Sequence, residues 1–242
     1  MRSVSRIRVR GVFATNCYII ADEDSGRCMA VDPGFEGARI AESIRSKGLE
    51  CDCIALTHGH FDHICGVAEV RGSFGCPVLA FRGSEYLADA RLNLSADFGM
   101  KAEVRDPVWI DEGPLPGNWG MIEAIHTPGH TPDSTVFYDR EGGFALVGDT
   151  IFKGSVGNWS YPGGNRGDLM RSIGRILSLP EDTVLLPGHS EPTTVGAEAR
   201  RLRRFFRGRP CAHISIGWQV SDHDISAESA CLSDACGHSC SI

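Results

Sequence analysis

The feature that most constrains this chain is the motif HGHFDH at residues 58–63, which is separated from the short apolar run CIAL by Thr57 alone. In an extended segment, side chains two residues apart project to the same side, so His58 and His60 can reach one point together. Asp62 and His63 are adjacent and diverge where the chain turns into a helix, so they suit a second point nearby. Imidazole and carboxylate are ligands of zinc and iron. The motif therefore offers half a coordination shell to each of two metal ions.

Three more potential ligands follow apolar runs later in the chain. EAIHTPGH ends in His130, FALVGD in Asp149 and VLLPGH in His189, and each ligand lies beside glycine. Loops beyond strand ends are where α/β proteins build their sites, because a rigid sheet holds them. The seven ligands are sufficient for two metal ions that share one bridging carboxylate.

Short strand-like runs alternate with amphipathic helical stretches in both halves of the chain. Residues 4–13, 16–22 and 28–32 are predicted as strands, whereas 38–48 and 167–179 are predicted as helices. Strands flanked by helices in both halves predict an α/β fold of two sheets with helices outside, a four-layer αββα sandwich.

Two segments lack this alternation. Residues 90–118 are poorly patterned and are predicted to form a surface excursion or lid. The pattern also dissolves near the C-terminus, so we predict a catalytic domain over residues 1–210 and a loosely ordered, cysteine-containing tail over 211–242.

The tail contains four soft ligands, Cys231, Cys236, His238 and Cys240. A Cys₃His set is able to bind structural zinc. The irregular spacing and polar surroundings favour an unstructured tail instead.

Charge and hydropathy exclude several classes of partner. The formal net charge of −7 argues against binding to nucleic acid. No apolar stretch approaches the roughly 20 residues that span a bilayer. Arg6, Arg8 and Arg10 interrupt any apolar region of a secretory signal, so we expect a cytoplasmic protein without a membrane partner.

Four motifs together resemble the metallo-β-lactamase superfamily, over roughly residues 7–208. They are HGHFDH, TPGHTPDS, GDTIF and PGHSEPT, in that order along the chain. The resemblance implies the αββα sandwich and assigns the ligands. His58, His60 and His130 would bind the first metal, Asp62, His63 and His189 would bind the second, and Asp149 would bridge them.

Within that superfamily, GDTIFKGSVG followed by YPGG resembles the short glyoxalase II-like (hydroxyacylglutathione hydrolase-like) enzymes, which cleave thioesters. This resemblance implies two divalent metal ions, in the first place Zn²⁺, with iron or manganese as alternatives. A hydroxide that bridges the metals would attack the carbonyl carbon of a small thioester or ester. Asp62 would be catalytic, because it would orient this nucleophile as well as bind metal.

The substrate-binding residues are less well marked. Glyoxalase II-like enzymes carry a basic residue after the GSVG stretch, but here the position is Asn158. A cation is therefore missing where a glutathione carboxylate would be expected. Asn158, Trp159 and Tyr161 are the candidate substrate contacts, and packing of the loop is the alternative for the two aromatic residues.

Two other activities share the implied fold. Persulfide dioxygenases use one iron held by two histidines and one carboxylate, here His58, His130 and Asp149. Hydrolysis of a β-lactam or lactone is the other, since the same hydroxide can open a ring. A purely structural metal site is less expected, because such sites fill every position with protein ligands.

Several neighbouring residues are expected to support the site without binding metal. Asp32 in VDPG is expected to support the site, and Thr57 and Thr131 either orient ligands through hydrogen bonds or carry purely structural hydroxyls. His126 is expected to be a structural histidine. Gly129 and Gly188 are expected to let the backbone approach the metals closely.

Overall fold

Within residues 2–207, which the computed structural model describes, two six-stranded sheets pack face to face. The first sheet contains β1 Arg2–Val9, β2 Thr15–Asp22, β3 Arg27–Val31, β4 Glu50–Ala55, β5 Val78–Phe81 and β6 Val108–Ile110. The second contains β7 Gly113–Pro114, β8 Ile122–His126, β9 Thr135–Asp139, β10 Phe144–Gly148, β13 Val184–Pro187 and β14 Thr193–Thr194. A separate two-stranded ribbon is formed by β11 Ile151–Phe152 and β12 Ser155–Val156.

The strand directions bring the ligand-bearing loops to one edge of the sandwich. In the first sheet the order is β1-β2-β3-β4-β5-β6, with β3 to β6 parallel. In the second sheet the order is β14-β13-β10-β9-β8-β7, with β10 and β13 parallel. The carboxyl ends of parallel strands meet at one edge of a sheet, so the loops after β3 and β4 are neighbours, as are those after β10 and β13.

Helices cover the outer face of each sheet. The helices are α1 Gly37–Ser46, α2 Phe61–Ile64, α3 Val67–Phe74, α4 Arg166–Ile176 and α5 Val195–Arg207. In α1 the buried residues Ile40 and Ile44 are four apart and therefore lie on one face. At the start of α4, the side chain of Asn165 accepts a hydrogen bond of 3.0 Å from the backbone N–H of Asp168, which caps the helix.

The buried apolar residues form three layers. One cluster joins the first sheet to α1 and α3, one lies between the two sheets, and one joins the second sheet to α4 and α5. Three apolar layers separate four structural layers, so the predicted αββα sandwich is confirmed.

The prediction for residues 90–118 was wrong in part. This segment supplies β6 to the first sheet and β7 to the second. Ile110 and Leu115 are buried in the cluster between the sheets. Strands of three and two residues are too short to show a period-two pattern, which explains why the sequence did not reveal them.

Three other predictions concern the bounds of the first strand, membrane-spanning helices and the C-terminal tail. The strand predicted over residues 4–13 begins earlier and ends at Val9. No helix of the described residues is long and apolar enough to cross a membrane. The predicted boundary at residue 210 and the tail 211–242, with Cys231, Cys236, His238 and Cys240, lie outside the described residues.

A buried ion pair joins the two sheets at the end opposite the ligand-bearing loops. Arg2 Nε lies 2.5 Å from Asp139 Oδ2, and the Asp139 side chain has no exposed surface. Replacing Arg2 with methionine would leave this buried charge without its ion-pair partner, with the N–H of Gly142 still donating to Oδ1 at 2.8 Å. We expect Arg2→Met to lower the free energy of unfolding by about 3 kcal/mol in urea titrations.

Arg82→Met is the matched control, because the Arg82–Asp111 pair is exposed on both sides, at 60% and 64%. We expect it to leave the unfolding midpoint almost unchanged. Equal effects of the two substitutions would show that the Arg2 pair does not hold the sheets together.

Candidate metal centre

The seven predicted ligands lie together at one edge of the sandwich, in four segments that each follow a strand, and Asp62 and His63 lie in α2. The HGHFDH residues follow β4, and the other three ligands follow β8, β10 and β13. All are buried except His189, whose side chain is 14% exposed. Their ligand atoms form three overlapping groups in which all atoms lie within 4.8 Å of one another.

Three imidazoles form the first donor group. His60 Nδ1 lies 3.1 Å from His58 Nε2 and 2.9 Å from His130 Nε2. These are the three residues predicted to hold the first metal.

The second donor group lies next to the first and contains Asp62, His63 and His189. Asp62 Oδ2 lies 3.7 Å from His63 Nε2 and 3.2 Å from His189 Nε2. This group matches the predicted second set.

Asp149 lies between the two groups. Its Oδ1 is 3.5 Å from His63 Nε2, and its Oδ2 is 3.3 Å from His189 Nε2 and 3.6 Å from His130 Nε2. One carboxylate thus faces both groups, which is the position that a bridging ligand requires.

Hydrogen bonds on the far side of the rings aim the ligand nitrogens inward. His63 Nδ1 lies 2.9 Å from Asp32 Oδ2, His130 Nδ1 lies 2.6 Å from the carbonyl oxygen of Asn158, and His189 Nδ1 lies 2.9 Å from that of Ala14. Because these oxygens only accept, each Nδ1 carries the proton and donates it. In the neutral form of each ring, Nε2 therefore keeps a lone pair directed into the centre.

Asp32 supports two ligands at once. Its carboxylate accepts hydrogen bonds from the backbone N–H of Thr57 at 2.8 Å and from Thr57 Oγ1 at 2.6 Å, in addition to the bond from His63. Thr57 Oγ1 lies 3.1 Å from His58 Nδ1 and is free to accept its proton. Asp32 thus orients His63 directly and His58 through Thr57, which is the supporting role expected from VDPG.

The donor set fits divalent metal ions. Ligands about 2.1 Å from a common tetrahedral centre lie about 3.4 Å apart, close to the spacings found here. Within the described residues, His63 Nε2 and Asp149 Oδ1 are buried and have no hydrogen-bond partner. Buried polar atoms without partners are costly, and a cation between them would satisfy both.

Burial and charge divide the seven ligands into two electrostatic classes. Burial lowers the pKa of His58, His60 and His130, so these rings are neutral and able to coordinate. Burial raises the pKa of Asp62, but His63 and His189 outweigh it and bring the pKa to about 2. Asp62 is therefore ionised and able to bind a cation, whereas the neighbouring carboxylates raise the pKa of His63 and of His189, so these two rings coordinate a metal only after they lose a proton.

The loop after β12 contains the three predicted substrate contacts, which take different positions. The half-buried ring of Tyr161 lies 5.6 Å from the His60 ring and 6.0 Å from the His130 ring, beside the first donor group. The carbonyl of Asn158 holds His130, as described above. Trp159 packs against the apolar cluster under α4 and lies beneath Arg166, which favours the loop-packing alternative for this residue.

The two glycine predictions have different outcomes. A Cβ atom on Gly188 would lie 2.4 Å from Asp149 Oδ1 and 2.5 Å from His63 Cε1, so the backbone does approach the centre closely. The prediction for Gly129 was wrong, because its Cβ would meet the backbone N of Leu169 at 2.1 Å. Gly129 allows α4 to pack closely and does not face the ligands.

Other neighbours are structural or were missed. His126 stacks on Phe81 at 4.1 Å, and Thr131 Oγ1 lies 2.8 Å from Ser134 Oγ within a turn, so neither belongs to the ligand cluster. Thr15 Oγ1 donates to Asp62 Oδ2 at 3.2 Å, and the Tyr86 ring lies 5.8 Å from the His60 ring. No motif marks Thr15 or Tyr86, since each reaches the centre from a distant part of the chain.

Comparisons with known proteins agree with this geometry. The family model described as the metallo-beta-lactamase superfamily matches residues 10–189. The probable metallo-hydrolase YqgX of Bacillus subtilis is 37% identical over 193 residues, which cover 78% of this chain and 90% of YqgX. The hydroxyacylglutathione hydrolase GloC of Haemophilus influenzae is 30% identical over 194 residues, which cover 78% of this chain and 91% of GloC.

A solved structure is also similar. The crystal structure of TTHA1623 in a di-iron-bound form has a TM-score of 0.74 and 30% identity, and it covers 81% of this chain and 98% of that one.

The hydrogen bonds of Asp32 generate the first prediction for this centre. In Asp32→Asn the amide NH2 group would face either the N–H of Thr57, which donates to Oδ1, or the Thr57 hydroxyl and His63, which both donate to Oδ2, so at least one of these hydrogen bonds is lost. Asparagine tolerates the positive φ of 51° at this position. We expect metal affinity to fall about 10- to 100-fold, measured by competition with a chromophoric chelator. Asp111→Asn, an exposed change, is the control, and equal affinities in the two variants would contradict the supporting role.

The close approach of the backbone at Gly188 generates the second prediction for this centre. The methyl group of Gly188→Ala would displace Asp149 or His63, so we expect the variant to retain less metal per chain after gel filtration, measured by elemental analysis. Gly174→Ala is the matched control, because open space surrounds this position inside α4. Full metal content in Gly188→Ala would show that the contact is not restrictive.

Proposed function

Because the chain belongs to the metallo-β-lactamase superfamily, we propose that it is a dinuclear metal hydrolase that cleaves a small-molecule thioester. The observation that carries this proposal is the pair of complete donor groups that share Asp149. The 30% identity to GloC, a hydroxyacylglutathione hydrolase, supports the thioester as the bond cleaved.

The ligand roles follow from the donor groups. His58, His60 and His130 would hold one ion, and Asp62, His63 and His189 the other, with Asp149 between them. Two divalent ions held there would polarise a carbonyl oxygen and would acidify a water molecule enough to deprotonate it near neutral pH. We propose zinc as the native metal, with iron as the alternative because TTHA1623 has a di-iron-bound form.

The chain itself positions the reactants. Asp62 Oδ2 is fixed by the Thr15 hydroxyl, and we propose that the carboxylate accepts a hydrogen bond from the attacking water and so orients it. Tyr161 forms an apolar wall beside His60 and His130, where it would pack against the acyl group and exclude bulk water. Asn158 leaves this wall uncharged.

The second donor group argues for two ions rather than one. A mononuclear iron dioxygenase would use His58, His130 and Asp149 and would need no further ligands. Here His63 is also oriented by Asp32, and its inward Nε2 is buried without a hydrogen-bond partner in the described part of the chain. An oriented, desolvated ligand supports a second ion at this position.

Metal analysis combined with turnover tests the proposal. We expect about two divalent ions per chain and hydrolysis of members of a small thioester panel, with activity lost on chelation and restored by metal. Asp62→Ala should lower kcat about 100-fold or more, because the nucleophile loses its orienting group. Asp111→Ala, which removes an exposed carboxylate, should leave kcat unchanged.

Three results would count against the proposal. One iron per chain with oxygen uptake on a persulfide would assign the dioxygenase activity instead. Cleavage of β-lactams or lactones, with no cleavage of thioesters, would show that the substrate belongs to one of those classes instead. An Asp62→Ala variant as active as the native protein would remove the proposed role of that carboxylate.

A further inference from the structure

A groove lined by arginines runs along β1 beside the metal centre. It has a volume of about 530 Å³ and is lined by Arg6, Ile7, Arg8, Arg10, Ala14, Arg39 and Ser43. Arg6 and Arg8 are two residues apart on a strand and therefore project to the same side. Arg10 follows the end of β1, and Arg39 of α1 reaches this edge strand from the other face of the sheet, where its Nη1 donates to the carbonyl of Arg8 at 3.3 Å.

Two of these arginines are neutralised locally and two are not. Arg6 Nη2 lies 2.8 Å from Glu191 Oε2, and Arg39 Nη1 lies 2.8 Å from Glu36 Oε2. Within the described part of the chain, the guanidinium groups of Arg8 and Arg10 make no ion pair or hydrogen bond. The groove therefore has an excess of about two positive charges in a chain whose net charge is −7.

The groove starts next to the second donor group. Ala14 lines the groove, and its carbonyl oxygen accepts the 2.9 Å hydrogen bond from His189 Nδ1. Ser190, the next residue after His189, accepts a 3.4 Å hydrogen bond from Arg6 through its carbonyl. A ligand whose reacting group lies at the metal centre would thus have the arginines within reach of its other end.

The dimensions suit an extended ligand. Arg6 and Arg10 are separated by four residues of nearly extended chain, or about 13 Å at roughly 3.3 Å per residue. The loop on the opposite side of the centre, near His130, presents the uncharged side chain of Asn158. Positive charge is therefore available on the His189 side of the centre.

We propose that this groove binds the acidic end of the leaving thiol, so that the substrate is a thioester of an anionic carrier. Guanidinium groups bind phosphates and carboxylates through paired N–H donors, so Arg8 and Arg10 are the specificity-determining residues. The inference rests on the proposed thioesterase function, and it adds the class of thiol on which that function acts.

Kinetics with carriers of different charge test the proposal. The same acyl group is presented on coenzyme A, on glutathione and on neutral N-acetylcysteamine. In Arg8→Gln and Arg10→Gln we expect KM for an anionic carrier to rise about 10-fold each, with kcat retained. KM for the neutral thioester should be unchanged. A larger rise in KM for coenzyme A would identify phosphate as the anion recognised, and a larger rise for glutathione would identify carboxylate.

Arg140→Gln is the matched control, because Arg140 follows β9 at the opposite end of the sandwich, over the Tyr138 ring. It should change KM for no carrier. Unchanged KM in both groove variants, or an equal rise for the neutral thioester, would overturn the assignment.

A binding measurement separates this inference from the proposed function. Calorimetry with S-methyl-coenzyme A and S-methylglutathione, which cannot be hydrolysed as thioesters, should show binding that weakens with added salt and is reduced in the Arg8→Gln, Arg10→Gln double variant. If no thioester is cleaved but this difference persists, the groove assignment holds and the function fails. If thioesters are cleaved but neither thioether shows the difference, the groove assignment fails.

Discussion

The buried carboxylate of Asp32 is the contact on which the HGHFDH motif depends. A carboxylate that is 2% exposed must have its oxygens hydrogen-bonded, and Asp32 meets this requirement with the N–H and hydroxyl of Thr57 and the ring of His63. Those donors belong to the segment that carries the first four ligands. The same bonds that satisfy the carboxylate therefore fix two imidazoles, one for each donor group.

The centre also requires the second sheet to be aligned with the first. Asn16 and Tyr18 of β2 provide this alignment at the ligand-bearing edge. The N–H of Asn16 donates to the carbonyl of Gly188 at 2.7 Å, and Tyr18 Oη donates to the carbonyl of Pro187 at 2.8 Å. These bonds cross the interface between the sheets beside His189. Ligands separated by more than a hundred residues along the chain consequently lie a few ångströms apart.

The sequence predicted the layers and the clustering of the seven candidate ligands because both are encoded locally. A side-chain ligand after an apolar run is visible in HGHFDH, and the alternation of strands and helices is visible throughout. The parts that were missed depend on the tertiary structure. The strands β6 and β7 are too short to show a period, and the close contact of Gly129 with Leu169 involves a helix about forty residues away. Backbone acceptors such as the carbonyls of Ala14 and Asn158 leave no mark in a sequence, since every residue type has one.

Those two carbonyls have a consequence for how such a protein diversifies. His130 and His189 are both anchored by main-chain oxygens, at Asn158 and Ala14, within the two loops that border the centre on opposite sides. Almost any residue type at these positions would offer the same oxygen to the imidazole. The side chains at Ala14 and Asn158 can therefore change during evolution without changing the main-chain oxygens that orient His189 and His130.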